Sequence, residues 1–170
     1  MSMRPGNISA SYVRNFVFGV EDSLVSTVGL LSGIAVAGIP TRGILITGAV
    51  LIFVEAFSMA VGSFLSEYQA EEYLKQAETS PRNSFIDGVI MFFSYFISGF
   101  IPLFPYFILS AASAFWLSIA ASLAALLLLG IIGAKLSHIN VARNGLRTFI
   151  IGGIAIIIGV VVGRLISTFY

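Results

Sequence analysis

The amino-acid sequence predicts an all-α polytopic membrane protein with five transmembrane helices. Three observations predict this class: 58% of the 170 residues are hydrophobic, only 10% are charged, and the apolar residues gather in five long stretches. A soluble domain carries about 25% charged residues, and about 20 apolar residues cross the hydrocarbon core of a bilayer. We therefore predict a single transmembrane domain over residues 1–170.

The composition also excludes several classes of function. The chain has no cysteine and one histidine, which excludes disulfides, thiolate metal sites and histidine-rich metal sites. It contains no serine–histidine–acid set, phosphate-binding loop or HExxH motif, so we expect no enzyme and no cofactor. The net charge of +1 and the scattered basic residues predict no nucleic-acid partner.

Turn signals separate the five predicted spans. Residues 39–43 contain proline and glycine, and the prolines of residues 101–105 predict a tight, uncharged turn. The polar residues 135–147 predict a loop before the last span. The predicted spans cover residues 13–38, 44–66, 85–100, 106–134 and 148–167.

The second helix is predicted to extend beyond the membrane. No proline interrupts residues 44–79, and no glycine follows Gly62 in that stretch. A helix of this length spans more than about 50 Å, whereas the hydrocarbon core is about 30 Å thick. We therefore expect a charged stalk up to residue 79 in the cytosol, in which Glu71 and Lys75 are spaced for an ion pair.

The basic residues predict the orientation. If the N-terminus is cytosolic, seven of the nine lysine and arginine residues lie on the cytosolic side, as the positive-inside rule requires. The odd number of spans then places the C-terminus on the exoplasmic (periplasmic or luminal) side. The seven residues are Arg4, Arg14, Lys75, Arg82, Lys135, Arg143 and Arg147, and the other two are Arg42 and Arg164.

Two pairs of glycines in the apolar spans are spaced four residues apart. They are Gly29 with Gly33 in the first span and Gly159 with Gly163 in the last. Small residues at this spacing let membrane helices approach closely. Ordinary helix packing is the interpretation that we favour for each pair.

A polar stripe in the second span is the main candidate for a functional site. Glu55, Met59, Gly62 and Ser66 follow one another at the spacing of one helix face. An acid at membrane depth is costly and is by default a hypothesis for a functional site. The stripe therefore predicts a pathway along this helix.

The first span carries two adjacent acids, Glu21 and Asp22. They lie about 100° apart around a helix, so we expect only one of them to face the pathway. Carboxylates such as Asp22 and Glu55 can hold a divalent cation when ionised or carry a proton when desolvated. Alternatively, each acid is structural and is protonated and bonded to a neighbouring helix.

Met59 lies one helical turn after Glu55. A thioether tolerates a first-row transition metal but does not attract calcium, magnesium or sodium. Either packing or metal binding explains it. Secondary candidates for the pathway are Glu21, Ser63, Ser66, Glu67 and Glu71, although the last two also fit a solvated charged face.

The chain resembles the vacuolar iron transporter family, which includes the nodulin-21-like proteins. The resemblance rests on FGVEDSLVST at residues 18–27 and FSMAVGSFLS at residues 57–66. Further matching segments are IPLFP at residues 101–105, NGLR at residues 144–147 and GRL at residues 163–165.

The resemblance implies a homodimer of five-helix protomers with a pathway between the two first helices and their neighbours. It implies export of ferrous iron, often with manganese, from the cytosol in exchange for protons. The pathway acid of the first span corresponds to Asp22, and the methionine of the second to Met59. The family's second acid corresponds to Leu51, and Glu55 lies one turn further along roughly the same face.

We therefore predict an integral membrane transporter that exchanges a divalent metal ion for protons, with Fe²⁺ or Mn²⁺ as substrate rather than cofactor. Its predicted partners are membrane lipid and a second copy of the chain. Two alternatives stay open at this point. One is a non-transporting scaffold or assembly protein whose buried acids hold helices together, and the other is a transporter of another cation such as calcium.

Overall fold

A computed structural model describes the backbone of residues 5–136 and 140–169 and the side chains of residues 10–135 and 140–169. Five of its helices are long and apolar enough to cross a membrane, which confirms the predicted class and number of spans. Arg4, one of the basic residues that predict the orientation, lies outside the described residues. The helices are α1 (Pro5–Val36), α2 (Thr41–Lys75), α3 (Arg82–Leu103), α4 (Pro105–Ile108), α5 (Ala111–Leu136) and α6 (Val141–Phe169).

Helix α1 lies at the centre of the bundle. It packs against α2, α3, α5 and α6, while α2 also packs against α3, and α5 against α6. Half of the residues in the most apolar stretch of α1 are buried, compared with 22% in α2 and 17% in α6. The acids of α1 are therefore held among other helices, whereas α2 and α6 leave wide faces for lipid or for another protein.

The two glycine pairs of the sequence meet each other where α1 crosses α6. A Cβ added to Gly33 would lie 2.6 Å from the carbonyl oxygen of Gly159. A Cβ on Gly159 or Gly163 would overlap the carbonyl oxygen of Gly29 or Gly33, respectively. The obstacle in each case is backbone rather than a movable side chain, so only glycine permits this approach.

An apolar cluster fills the end of the bundle that holds the α1–α2 turn. Its members are fully or almost fully buried, and they come from α1, α2, α3, α4 and α5. This cluster joins the two halves of the chain. It consists of Leu31, Ile44, Ile52, Leu103, Tyr106 and Ala114.

Helix α2 ends four residues earlier than the sequence predicts. Gln76 adopts a left-handed conformation with a φ of 51°, and its side-chain amide donates to the Tyr73 carbonyl. A residue in this conformation commonly ends a helix. Helix α2 therefore ends before the proline at position 81. The predicted pair is confirmed, because the Lys75 ammonium donates to the Glu71 carboxylate at 2.5 Å.

The turn predicted at residues 101–105 lies further along the chain, at about residue 109. Helix α3 continues through Pro102 to Leu103, and the Phe104 amide still donates to the Phe100 carbonyl at 2.8 Å. Pro105 opens the short α4, a position where a missing N–H costs nothing. The chain becomes extended only at Leu109.

Helix α6 begins at Val141, seven residues before the predicted span. The Asn140 side-chain oxygen accepts a hydrogen bond from the Arg143 amide at 3.0 Å. An asparagine that accepts from an amide of the first turn is a favourable helix N-cap. The polar residues 141–147 are therefore helical rather than part of a loop.

Candidate functional site

Two of the predicted pathway acids come together between α1 and α2. The carboxylates of Asp22 and Glu55 are close enough for their charges to act on each other. Both side chains are half-buried. Two like charges in a low-dielectric site repel each other, and either a cation or a bound proton relieves the repulsion. The pair is therefore suited to hold a divalent ion or protons.

Tyr95 of α3 adds a hydroxyl group that sequence reasoning missed. Its ring is fully buried, and its phenol oxygen lies 2.8 Å from the Ser26 hydroxyl of α1. The charges of Asp22 and Glu55 both act on it. The Ser23 hydroxyl donates to the Tyr95 carbonyl at 2.7 Å, which ties α3 to α1 beside Asp22.

Met59 continues the site along α2 toward the surface of the protomer. Glu55 and Met59 are half-buried, whereas Gly62 and Ser66 of the same stripe are exposed. A Cβ added at Gly62 would meet nothing within 4 Å. Ser63 instead lies on the buried side of α2, and its hydroxyl oxygen has no hydrogen-bond partner among the described residues. The stripe thus runs from a half-buried acid to an open surface.

Glu21 lies apart from this pair, in a cavity of about 140 Å³ between α1, α5 and α6. Arg147 of α6 lines the same cavity. The Asn144 amide donates to the Gly130 carbonyl at 2.8 Å, and the Thr148 hydroxyl donates to the Leu126 carbonyl at 2.9 Å. The cavity is lined by Val17, Glu21, Leu129, Gly130, Gly133, Asn144, Arg147 and Thr148.

Two secondary candidates for the pathway lie on the last turns of α2, and each pairs with a basic residue. Glu67 forms a salt bridge with Arg14 of α1. Glu71 is 8% exposed and pairs with Lys75 on its own helix. Each of these carboxylates therefore has its charge compensated within the protomer.

Asp87 of α3 is a buried acid that sequence reasoning missed. Its side chain is 4% exposed, and its Oδ1 atom accepts from Ser11 at 2.8 Å and from Asn15 at 2.6 Å. Both donors lie on α1, one turn apart. The signal was present in the sequence, because Ser84 and Gly88 mark the same small, polar face of α3.

We expect Asp87→Ala to lower the free energy of unfolding by about 1–3 kcal/mol, because the buried Asn15 amide then loses its acceptor. Thermal unfolding in detergent measures the loss. Asp87→Asn is the matched control, since its side-chain oxygen can still accept from both donors, and it should lose less. Equal stability of the alanine variant and the unaltered protein would contradict a structural link between α1 and α3.

A single protomer offers few acidic ligands for a metal. Across residues 10–135 and 140–169, no group of three or more histidine, aspartate or glutamate residues is close enough to hold a metal ion. The site therefore consists of the Asp22 and Glu55 carboxylates, the Met59 thioether and nearby hydroxyl groups. This set combines two carboxyl groups with one soft ligand.

Comparison with known proteins places the chain in a family. The model of the VIT family matches residues 13–85 and 67–164, most of the chain. Vacuolar iron transporter homolog 4 of Arabidopsis thaliana is 41% identical over 59 residues. That match covers 35% of this chain and 30% of the length of the relative. With its five apolar helices and the family match over most of its length, the chain belongs to the VIT family.

Proposed function

We propose that this protein transports a divalent transition metal across a membrane, with Fe²⁺ as the first substrate and Mn²⁺ as the second. The observation that carries the proposal is the meeting of Asp22 and Glu55 between α1 and α2, with Met59 one turn away. Membership of the VIT family supports it. So does the name of the Arabidopsis thaliana relative, which is that of a vacuolar iron transporter homologue.

The same pair supports exchange of the metal for protons. Two ionised carboxylates balance the charge of one divalent ion. After the ion leaves, protons relieve the repulsion between Asp22 and Glu55. The two occupants compete for the same oxygen atoms, so binding of one favours release of the other. We infer export from the cytosol in exchange for protons, with the cytosolic N-terminus that the basic residues predict.

We further infer that the working unit is a homodimer. One protomer supplies two carboxylates to the site, and a second copy doubles the number of ligands. The exposed half of the α2 stripe, at Gly62 and Ser66, lies open on the protomer surface. A two-fold contact brings the same surface of both copies together. Such a contact would cover the stripe.

Purified protein in liposomes tests the proposal directly. An iron-quenched dye inside the vesicles reports Fe²⁺ entry, and a pH-sensitive dye reports proton movement. We expect Fe²⁺ entry to depend on the protein and to move protons in the opposite direction. Protein-dependent flux of neither species would favour a scaffold, whereas Ca²⁺ flux that Fe²⁺ does not inhibit would favour a calcium transporter.

Substitutions of Glu55 and of Met59 are expected to affect the transport of Fe²⁺ and Mn²⁺ differently. Glu55→Gln keeps the shape but removes a charge that compensates the cation, a loss of about 3–5 kcal/mol in a buried pair. Transport of Fe²⁺ and Mn²⁺ should collapse together. Met59→Leu keeps volume and apolarity, at a cost under about 1.5 kcal/mol, and removes only the sulfur. It should lower Fe²⁺ transport relative to that of the harder Mn²⁺.

Initial rates of both ions in proteoliposomes measure this contrast, and thermal unfolding confirms that each variant is folded. Leu51→Met is a useful comparison with Met59→Leu. It adds a thioether two turns earlier on α2, and this thioether does not replace that of Met59. Equal losses for Fe²⁺ and Mn²⁺ in a well-folded Met59→Leu variant would mean that Met59 is a packing residue.

A further inference from the structure

We propose that the Tyr95 hydroxyl is a neutral oxygen ligand in the metal pathway and that Ser26 holds it in place. This inference rests on the proposed transport of Fe²⁺ and Mn²⁺ and adds a residue that sets the preference between them. Tyr95 is fully buried in the middle of α3. Its hydroxyl lies 2.8 Å from that of Ser26, one helical turn after Asp22 on α1.

The hydrogen bonds around Tyr95 leave its oxygen able to bind a cation. The Ser26 hydroxyl lies within 3.4 Å of the Ser23 carbonyl as well as 2.8 Å from Tyr95. If Tyr95 donates to Ser26, both lone pairs of the phenol oxygen are free. If Ser26 donates to Tyr95, one lone pair is still free. In either arrangement the phenol oxygen keeps a lone pair with which it can bind a metal ion.

The position of this oxygen relative to the acids gives it a role. The hydroxyl contacts Ser26 at 2.8 Å, one helical turn after Asp22 on α1, and the charges of Asp22 and Glu55 both act on Tyr95. We therefore place the hydroxyl beside a cation held by these carboxylates. Mn²⁺ favours oxygen ligands in octahedral sites, and two carboxylates do not complete such a shell. A neutral hydroxyl adds a ligand without adding charge, which lets the ion bind and still leave.

Tyr106 provides a matched control within the same chain. It is also buried, with 2% of its surface exposed, but it lies in the apolar cluster with Leu31 and Ile44. Its hydroxyl has no hydrogen-bond partner among the residues whose side chains are described. Tyr106→Phe therefore removes a buried phenol oxygen from an apolar environment.

The test compares unaltered protein, Tyr95→Phe, Tyr106→Phe and Met59→Leu in proteoliposomes. Initial rates at increasing Mn²⁺ and Fe²⁺ concentrations give KM and kcat for each ion. We expect Tyr95→Phe to raise KM for Mn²⁺ about tenfold, the effect of one lost neutral contact. Fe²⁺ should lose less, with little change in kcat. The preference should thus shift toward Fe²⁺, opposite to the shift from Met59→Leu.

Ser26→Ala distinguishes the role of the Tyr95 hydroxyl as a ligand from the role of Ser26, which orients that hydroxyl. It leaves the phenol in place but removes the group that orients it, so its shift should have the same direction as that of Tyr95→Phe and a smaller size. Tyr106→Phe should match the unaltered protein in both KM values. Thermal unfolding of all variants identifies any loss that comes from misfolding alone.

Three outcomes would overturn the inference. Unchanged KM values in Tyr95→Phe would show that the hydroxyl does not contact the ion. An equal loss for both ions together with a lower unfolding temperature would show that Tyr95 only supports the fold. If the unaltered protein moves neither ion, the proposed function fails and the inference fails with it, whereas the first two outcomes leave the proposed function standing.

Discussion

Asp22→Asn is expected to abolish both metal and proton flux. The amide has nearly the shape of the carboxylate, so the packing of α1 is preserved. It carries no charge to balance a cation and cannot take up a proton. Removing one partner of a buried charge pair costs about 3–5 kcal/mol, which corresponds to a rate lower by a factor of about 150–5,000. Fe²⁺ entry and the pH change in proteoliposomes should both fall to the level of empty vesicles.

Glu21→Gln is the matched control for this experiment. It makes the same chemical change at the adjacent residue, but Glu21 lines the cavity shared with Arg147 and not the site shared with Glu55. We expect this variant to keep most of its transport. Near-normal exchange by Asp22→Asn and loss of exchange by Glu21→Gln would instead move the pathway to the cavity between α1, α5 and α6.

Gly159→Val is expected to produce the largest loss of stability among single substitutions in the membrane helices. The added side chain would overlap the backbone carbonyl of Gly29, which α1 cannot move without losing its contact with α6. Overpacking of a tight contact costs about 1–3 kcal/mol, and we expect the upper end because the obstacle is backbone. The midpoint of thermal unfolding in detergent should fall, together with the yield of folded protein.

Gly153→Val on the same helix is the control. A Cβ at Gly153 would meet nothing within 4 Å, so the same glycine-to-valine change adds no clash there. Its unfolding midpoint should stay close to that of the unaltered protein. If both variants lose the same stability, a general effect of valine on α6, and not the crossing of α1 with α6, explains the loss.

The position of Glu21 shows where sequence reasoning reaches its limit. The sequence establishes that Glu21 and Asp22 lie about 100° apart on one helix. It does not establish which of them faces α2, because that depends on how α1 is rotated among its neighbours. In the structure Asp22 lies within range of the charge of Glu55, whereas Glu21 lines the cavity with Arg147.

Sequence reasoning did not identify two polar residues of α3, Asp87 and Tyr95, for a related reason. Asp87 stands near the start of its span, and Tyr95 is one of many aromatic residues in the chain. Ser84 and Gly88 mark a small, polar face around Asp87, but no local pattern identifies the groups that Asp87 and Tyr95 contact. Their partners, Asn15 and Ser26, lie about 70 residues earlier in the sequence. Contacts of this separation follow from helix packing, which no local pattern predicts.

Local sequence patterns account for the five apolar helices, the stripe from Glu55 to Ser66 and the ion pair of Glu71 with Lys75. These features depend on hydrophobic length and on the 3.6-residue period, which are properties of neighbouring residues. Helix packing, in contrast, brings Gly29 and Gly33 against Gly159 and Gly163, and it separates Asp22, near Glu55, from Glu21 in its cavity. These features depend on which helices pack together and at what rotation, and many arrangements satisfy the same local patterns.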